Sequence, residues 1–247
     1  MRPQKQELSK LNLKVNSTEP IINAIRRAVN EIFVPAIEEI EVIKNDSALY
    51  DEVLAHRLGL IPLVAEKSLK PIEECSCNKK RCGKCTIKLK LQAKGPGIVY
   101  SSELKGTIKP VIDNIPIVYL EKDQEIEILA IVRLGKGQEH AKFIPGIIYY
   151  RPIVQVELPN KPELLKKCAS KCPKSLIREE NGKFVVKNSE NCDSCGICVE
   201  ICPDIKLTQT GQFIVTIESW GQISPKEIFT LAIEALESDL KEISKKI

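Results

Sequence analysis

Four cysteines in the last quarter of the chain constrain its folding more than any other feature of the sequence. Cys192, Cys195, Cys198 and Cys202 follow the spacing C-x2-C-x2-C-x3-C, and a proline comes directly after the last of them. Thiolates at this spacing bind iron–sulfur clusters, because three of them on one tight loop reach three corners of the same cluster. The run therefore predicts one iron–sulfur cluster, either [4Fe–4S] or [3Fe–4S]. Gly196 is expected to relieve crowding where the backbone wraps the cluster.

The fourth ligand is expected from an earlier pair of cysteines. Cys168 and Cys172 have the spacing of the end of a second such run, but Pro162 and Leu165 occupy its other cysteine positions, so a second cluster is not expected. In two-cluster ferredoxins the fourth cysteine of each run binds the other cluster. This rule assigns Cys172 to the cluster, whereas Cys202 in its place is the alternative ligand set. Under the rule, Cys168 and Cys202 are left as free thiols or as a disulfide.

A second group of cysteines lies earlier in the chain. Cys75, Cys77, Cys82 and Cys85 fall within eleven residues. Four thiolates at such a spacing can close a tetrahedral structural zinc site, which has no open position for catalysis. Disulfides or unligated thiols are the alternatives. Basic side chains between the cysteines, including Arg81, would either offset the thiolate charge or belong to a solvated loop.

The cysteine content and the charge of the chain narrow its cellular setting. The chain has ten cysteines, and its first residues show no apolar segment of the kind that directs secretion. Cysteines of unsecreted proteins bind metals more often than they form disulfides, so we expect a cytoplasmic protein. No stretch approaches the roughly 18 apolar residues of a membrane span. A net charge of +4, with acidic and basic residues interspersed, predicts no direct sequence-specific binding of DNA.

Hydrophobic patterns predict an α+β fold. Apolar residues recur at helical spacing from Ile21 to Phe33, and this helix is expected to end before Pro35. Residues 86–157 alternate in the manner of strands between turn residues, which predicts a mainly antiparallel sheet. A long terminal helix is expected to begin after Ser224. Its apolar face packs either on the protein's own sheet or against a second chain.

Several segments resemble one known family. Three stretches occur in the order found in the D-type subunits of archaeal RNA polymerase: EPIINAIRRAVNEIFVPAIEEIEVIKNDSALYDEVLAHRLGLIPL, GKGQEHAKFIPG and WGQISPKEIFTLAIEAL. Relatives of that family are the third-largest subunit of eukaryotic RNA polymerase II and the bacterial alpha subunit. The resemblance implies a discontinuous dimerisation domain of sheet and long helices at 1–44 and 207–247. It also implies an inserted, mainly antiparallel β domain at 45–165 and a ferredoxin-like iron–sulfur module at 166–206. The loop 75–85 resembles the zinc loop of the eukaryotic relative.

The resemblance implies a non-catalytic role in assembly. A member of this family pairs with the smaller subunit L, and the heterodimer is the platform for the large catalytic subunits and the small assembly subunits. Nucleotidyl transfer takes place in the large subunits, and no nucleophile elbow or phosphate-binding loop occurs in this sequence. The Arg26–Arg27 pair resembles a family position that contacts a large subunit. The implied partner surface consists of Ile22, Ile25, Arg26, Arg27, Val29, Ile228, Leu231, Ala235, Leu236 and Leu240.

Two other functions are compatible with the metal motifs. One is an electron-transfer iron–sulfur subunit of an oxidoreductase complex, although electron relays usually chain several clusters and a single one is expected here. The other is a metal-binding scaffold of a different complex.

Three local thiolates and one distant thiolate would cross-link two loops of a segment too small to fold alone. We therefore expect the cluster to have a structural role.

Overall fold

The computed structural model of the protein describes residues 9–66, 68–78 and 80–246. Within these residues the helices are α1 (Glu19–Ala28), α2 (Asp51–Gly59), α3 (Pro162–Lys171), α4 (Ile197–Ile201) and α5 (Pro225–Lys246). The strands are β1 (Lys10–Asn16), β2 (Val34–Asn45), β3 (Thr86–Lys94), β4 (Gly97–Tyr100), β5 (Leu104–Lys105), β6 (Pro116–Leu120), β7 (Glu125–Gly135), β8 (Gly146–Glu157), β9 (Ile177–Glu180), β10 (Lys183–Val186) and β11 (Lys206–Ser219).

Contacts within the chain divide it into two compact units. The first contains Met1–Leu11, Ala24–Ile148 and Ile217–Ile247, and the second contains Asn12–Asn23 and Tyr149–Thr216. Each unit is therefore built from segments that are distant in sequence. The cysteine loop at 75–85 lies in the first unit, and the later cysteines lie in the second. The division into three domains that the family resemblance implies has other boundaries and stays a prediction.

A four-stranded sheet with the order β2-β7-β3-β5 forms the centre of the first unit. Its long strands pair antiparallel, so that Ile131 of β7 lies opposite Glu39 on one neighbour and Lys88 on the other. Every second residue from Ile126 to Leu134 of β7 is buried, because successive side chains point to opposite faces of the sheet and these apolar residues share one face. Leu54 and Leu58 of α2 are fully buried in the same core.

The remaining strands also follow the predicted fold class. β1, β11 and β8 form a three-stranded sheet in that order, while β4 pairs antiparallel with β6. β9 and β10 form an antiparallel hairpin whose turn residues, Asn181 and Gly182, both have positive φ. An Asn-Gly pair favours this type of turn, so the sequence did contain a sign of this hairpin. The combination of helices with mostly antiparallel sheets confirms the predicted α+β fold.

Helix α1 ends earlier than its apolar pattern suggests. The α-helix stops at Ala28, and a 3-10 turn follows at Val29–Glu31. Proline disfavours the helical conformation in the residue before it, and Pro35 therefore requires an extended backbone at Val34, the first residue of β2. The chain is already extended at Ile32, where φ is −74° and ψ is 129°.

Helix α5 begins where the sequence predicts. The Ser224 hydroxyl accepts a hydrogen bond from the Glu227 N–H at 3.3 Å, which caps the first turn. Ile228 and Ala232 are fully buried, whereas the last apolar residues of the same helix are exposed. None of the helices in the described ranges combines the length and the apolar character that a membrane crossing needs.

Substitution of Leu89 by alanine tests the central sheet of the first unit. Leu89 lies fully buried on β3, and Leu→Ala in a packed core typically lowers the free energy of unfolding by about 2–5 kcal/mol because a cavity remains. We expect a loss in this range for Leu89→Ala, measured by urea denaturation. Lys88→Ala alters the adjacent, exposed residue of the same strand and should change stability by less than about 0.5 kcal/mol. Equal effects of the two substitutions would contradict this assignment of the core.

Candidate metal centres

The loop that precedes β3 brings four thiols together. Cys75, Cys77, Cys82 and Cys85 place their sulfur atoms within 4.8 Å of one another. Two local turns fold the loop in this way, since the Cys85 N–H donates to the Cys82 carbonyl at 2.9 Å and the Asn78 N–H donates to the Cys75 carbonyl at 3.3 Å. The four cysteines could therefore hold a metal ion.

The spacing of these sulfur atoms fits a single tetrahedral ion. Zinc binds thiolate sulfur at about 2.3 Å, which places the sulfurs of a tetrahedral site about 3.8 Å apart. The Cys75–Cys82 sulfurs are 3.6 Å apart, the Cys77–Cys85 sulfurs 3.7 Å and the Cys82–Cys85 sulfurs 4.0 Å. All four are free thiols, which favours the metal interpretation of this loop over the disulfide interpretation.

The four thiols have different electrostatic surroundings. A hydrogen bond from the backbone of Cys82 is the main cause that lowers the pKa of Cys77 to about 6. Burial, followed by hydrogen bonds with the other thiols, raises the pKa of Cys85 to about 12. Metal ions bind the thiolate form, so a bound cation would displace protons from this group, and its affinity would fall as the pH is lowered.

The cysteine loop is fastened to the central sheet by polar contacts. Arg81 forms a two-point ion pair with Glu39 of β2, with Nη2 and Oε1 2.7 Å apart, and this hydrogen bonding lowers the pKa of Glu39. The hydroxyl of Thr86, the first residue of β3, donates to the carbonyls of Arg81 and Cys82 at 3.1 and 3.2 Å. The positive charge of Arg81 is therefore paired with the carboxylate of Glu39 in the sheet.

The second group of cysteines surrounds a cavity in the second unit. Cys172, Cys192, Cys195 and Cys198 all line it, together with apolar residues that include Leu176. Among the described residues, only the 75–85 loop brings three or more metal-binding atoms within 4.8 Å of one another. An iron–sulfur cluster binds each thiolate through a separate iron, so this wider donor set fits a cluster better than a single ion.

The other two cysteines of the second unit belong to an apolar core. Cys168 on α3 and Cys202 after α4 are fully buried free thiols, and both pack in a cluster with Leu165, Ile177 and Ile205. Burial is the main cause that raises the pKa of Cys168. Leu165 stands at a position where a second run would carry a cysteine, and its side chain forms part of this core. Hydrophobic packing thus fills the region around the incomplete second run.

The glycine of the cysteine run has a conformational role. Gly196 has a φ of +81°, in the left-handed region that favours glycine, and it immediately precedes α4. Its carbonyl accepts hydrogen bonds from the N–H groups of Val199 and Glu200 at 2.9 and 3.0 Å. A Cβ atom at Gly196 would meet no protein atom within 4 Å. The backbone angle, and not crowding by other protein atoms, therefore explains this glycine.

One contact beside the cavity involves a residue that the sequence analysis did not identify. Arg151 of β8 directs its guanidinium at the loop that carries Cys192, and Nη1 donates to the carbonyls of Glu190 and Cys192, the latter at 3.1 Å. Lys14 of β1 pairs with the Glu190 carboxylate at 2.6 Å. Arg151 and Cys192 are 41 residues apart, and no local motif connects them.

The residues of the implied partner surface differ in exposure. Ile22, Val29 and Ile228 are buried, whereas the Leu240 side chain is 57% exposed. The half-buried residues of the set are Ile25, Leu231, Ala235 and Leu236, and the two exposed arginines are Arg26 and Arg27. In the first unit, Arg27 and Leu236 line the same groove. The most exposed apolar part of the set therefore lies at the end of α5.

The segment GKGQEHAKF at 135–143 has a structural explanation. Phe143 is fully buried, and a Cβ at Gly135 would approach its ring to 2.7 Å, so only glycine fits there. Burial would raise the pKa of Glu38, but hydrogen bonds from Lys142 and Arg133 hold it below the usual value. Arg133 also lies 4.8 Å from the centre of the Phe143 ring. The segment thus packs against β2 and β7.

Comparison with known proteins identifies the family. The family of the RNA polymerase Rpb3/RpoA insert domain matches residues 38–148. DNA-directed RNA polymerase subunit Rpo3 of Methanothermobacter thermautotrophicus is 39% identical over 238 residues, which cover 92% of this chain and 90% of the relative. Rpo3 of Thermococcus kodakarensis is 36% identical, with 88% and 85% covered. Rpo3 of Archaeoglobus fulgidus is 32% identical, with 99% and 98% covered.

These similarities extend well beyond the metal motifs. The matched insert domain contains most of the central sheet and the 75–85 loop, and the similarity to the Rpo3 proteins includes both units. The Rpo3 proteins are the D-type subunits of archaeal RNA polymerase, so the resemblance found in the sequence is confirmed. The chain belongs to the Rpo3 family of archaeal DNA-directed RNA polymerase subunits.

Proposed function

We propose that the protein is a non-catalytic assembly subunit of an archaeal DNA-directed RNA polymerase. The similarity to an Rpo3 subunit over 92% of this chain and 90% of the relative carries the proposal. The protein would act in the cytoplasm, pair with subunit L and form the platform for the large catalytic subunits and the small assembly subunits. The compared relatives are all polymerase subunits, and they give no support to the alternative of an electron-transfer subunit.

The exposed end of α5 supports the pairing with a smaller subunit. Leu240 and Ile243 lie three residues apart on one side of the helix, and their side chains are 57% and 56% exposed. Apolar side chains that are exposed side by side on a soluble protein are typical of a protein–protein contact. They continue the apolar face whose earlier residues, Ile228 and Ala232, are buried within the chain.

Substitution of Leu240 tests this surface. Burial of a leucine side chain contributes about 1.5–3 kcal/mol, and a charge at its position would have to be desolvated on pairing. We expect Leu240→Lys to weaken the complex with subunit L by at least about 10-fold in Kd, measured by calorimetry or by co-purification of the two chains.

Ser238→Lys is the matched control for this experiment. Ser238 is exposed on the same helix but lies on the opposite side from Leu240, and the two substitutions add the same charge. The control should pair with subunit L as the unaltered chain does. If Leu240→Lys also paired normally, this part of α5 would not belong to the partner surface.

We further infer that the second unit binds one iron–sulfur cluster through Cys172, Cys192, Cys195 and Cys198. Two observations support the inference: these four cysteines line one cavity, and the other two cysteines of the unit are enclosed in apolar packing. A bound cluster would supply metal–thiolate bonds that join the end of α3 to the loop before α4 and to α4 itself. Such cross-links stabilise small segments, which supports a structural role.

Alanine substitutions distinguish the two candidate ligand sets. We expect Cys172→Ala to remove the visible absorption of the cluster after anaerobic reconstitution, and Cys202→Ala to keep most of it. Both substitutions remove one sulfur atom, so they control for each other. Iron and sulfide contents provide the second measurement. Loss of the cluster in Cys202→Ala, with retention in Cys172→Ala, would show that the alternative ligand set is correct.

We also infer that the loop 75–85 binds one zinc ion with a structural role. Three of the six sulfur–sulfur distances lie between 3.6 and 4.0 Å, which matches a closed tetrahedral site, and all six are within 4.8 Å. The burial of Cys75 and Cys85 also agrees with a site that is closed to substrates.

Metal analysis of purified variants tests the zinc site. We expect one zinc per unaltered chain and loss of most of it in Cys77→Ser, because three thiolates cannot close the site. Zinc should also dissociate as the pH is lowered, since protons compete for the thiolates. Cys195→Ser, which alters the other cysteine group, should keep its zinc. A zinc content that Cys77→Ser does not change would refute the assignment.

A further inference from the structure

The loop that carries Cys192 is held by cations from two different strands. Arg151 of β8 donates to the carbonyls of Glu190 and Cys192, and Lys14 of β1 pairs with the Glu190 side chain. β8 and β1 are the outer strands of a three-stranded sheet whose middle strand is β11. All four residues belong to the second unit. The loop therefore has polar contacts to both outer strands of this sheet.

The amino-terminal part of the cysteine run has little apolar packing of its own. Cys198, Val199 and Ile201 pack against the apolar cluster of the second unit. Among the residues that the structure describes, Cys192 and Cys195 are not part of this cluster. Asp193, Ser194 and Cys195 are exposed. Polar contacts therefore help to place the first ligand of the run, in addition to the apolar residues that line the cavity with it.

The local turn before Cys192 satisfies N–H groups and leaves carbonyls for other donors. The Cys192 N–H donates to the Ser189 carbonyl at 3.0 Å, and the Asn191 N–H donates to the Asn188 carbonyl at 2.8 Å. Asn188 itself has a φ of +52°, in the left-handed region. One nitrogen of Arg151, Nη1, donates to two carbonyls of the same turn, and the planar guanidinium fixes the directions of its N–H groups.

We propose that Arg151 is a positioning residue for the iron–sulfur cluster. This inference rests on the proposed cluster ligation by Cys192. The carbonyl that Arg151 binds and the thiol of Cys192 belong to the same residue, so a fixed carbonyl restricts where the sulfur lies. Contacts of this kind around a ligand orient it and commonly change metal affinity by about 10–100-fold. Lys14 acts less directly, because the side chains of Lys14 and Glu190 are each about half exposed and solvent weakens their ion pair.

The test uses the full chain after anaerobic reconstitution of the cluster. The rate of cluster loss to an iron chelator is followed by visible absorption. We expect Arg151→Met, which keeps an unbranched side chain without donors, to lose the cluster about 10-fold faster. Arg151→Lys should be intermediate, because the ammonium keeps the charge but lies one bond nearer to the backbone than Nη1, the nitrogen that makes both contacts. Lys183→Met removes the same charge from an exposed residue of β10 and should behave as the unaltered chain.

Circular dichroism separates positioning from a general loss of structure. Visible circular dichroism of the bound cluster reports the geometry of its ligands and should change in Arg151→Met, while the far-ultraviolet spectrum stays the same. Cluster loss at the unaltered rate in both Arg151 variants would overturn the proposal while leaving cluster binding intact. If Arg151→Met does not fold, an unaltered rate in Arg151→Lys alone overturns it. If the unaltered chain takes up no cluster, the proposed iron–sulfur function itself fails.

Discussion

The antiparallel pairing of β7 with both β2 and β3 is the contact on which the first unit depends. β3 begins directly after Cys85, and β2 carries Glu39, which binds Arg81 within the cysteine loop. The strands that β7 holds therefore fix the loop at two points. Four sulfur atoms can stand at the spacing of a tetrahedral ion because their loop is attached to a packed sheet. Leu89 and Leu91 of β3, a few residues after Cys85, belong to the core of that sheet.

The two cysteine groups differ in what surrounds them. In the 75–85 loop the sulfurs lie close to one another, as ligands of one ion do. In the second unit, four cysteines line a wider cavity, while Cys168 and Cys202 lie in apolar packing with Leu165. The second unit thus combines a candidate cluster site with a small hydrophobic core. Neither cysteine group includes a residue of α5, so the proposed metal binding and the proposed partner contact involve different residues of the chain.

Much of the fold followed from local patterns. Alternating residues indicated the antiparallel strands, and Ser224 marked the start of α5. The spacing of the cysteines divided them into an earlier and a later group, and the structure describes the two groups in different units. Other features depended on longer-range effects. The extended strand that begins at Val34 shortened α1, although the apolar pattern continues to Phe33. The positive φ of Gly196 was likewise not evident from the spacing of the cysteines.

The sequence by itself determined the family, the fold class and which cysteines are candidate ligands, because spacing and segment order are local properties of a chain. Tertiary structure alone decided how far apart the sulfur atoms lie and which cysteines are enclosed in apolar packing. It also decided that Arg151 meets the Cys192 loop. These features depend on strands and loops that are distant in sequence. No periodicity connects such segments, and only the folded chain brings them within hydrogen-bonding distance.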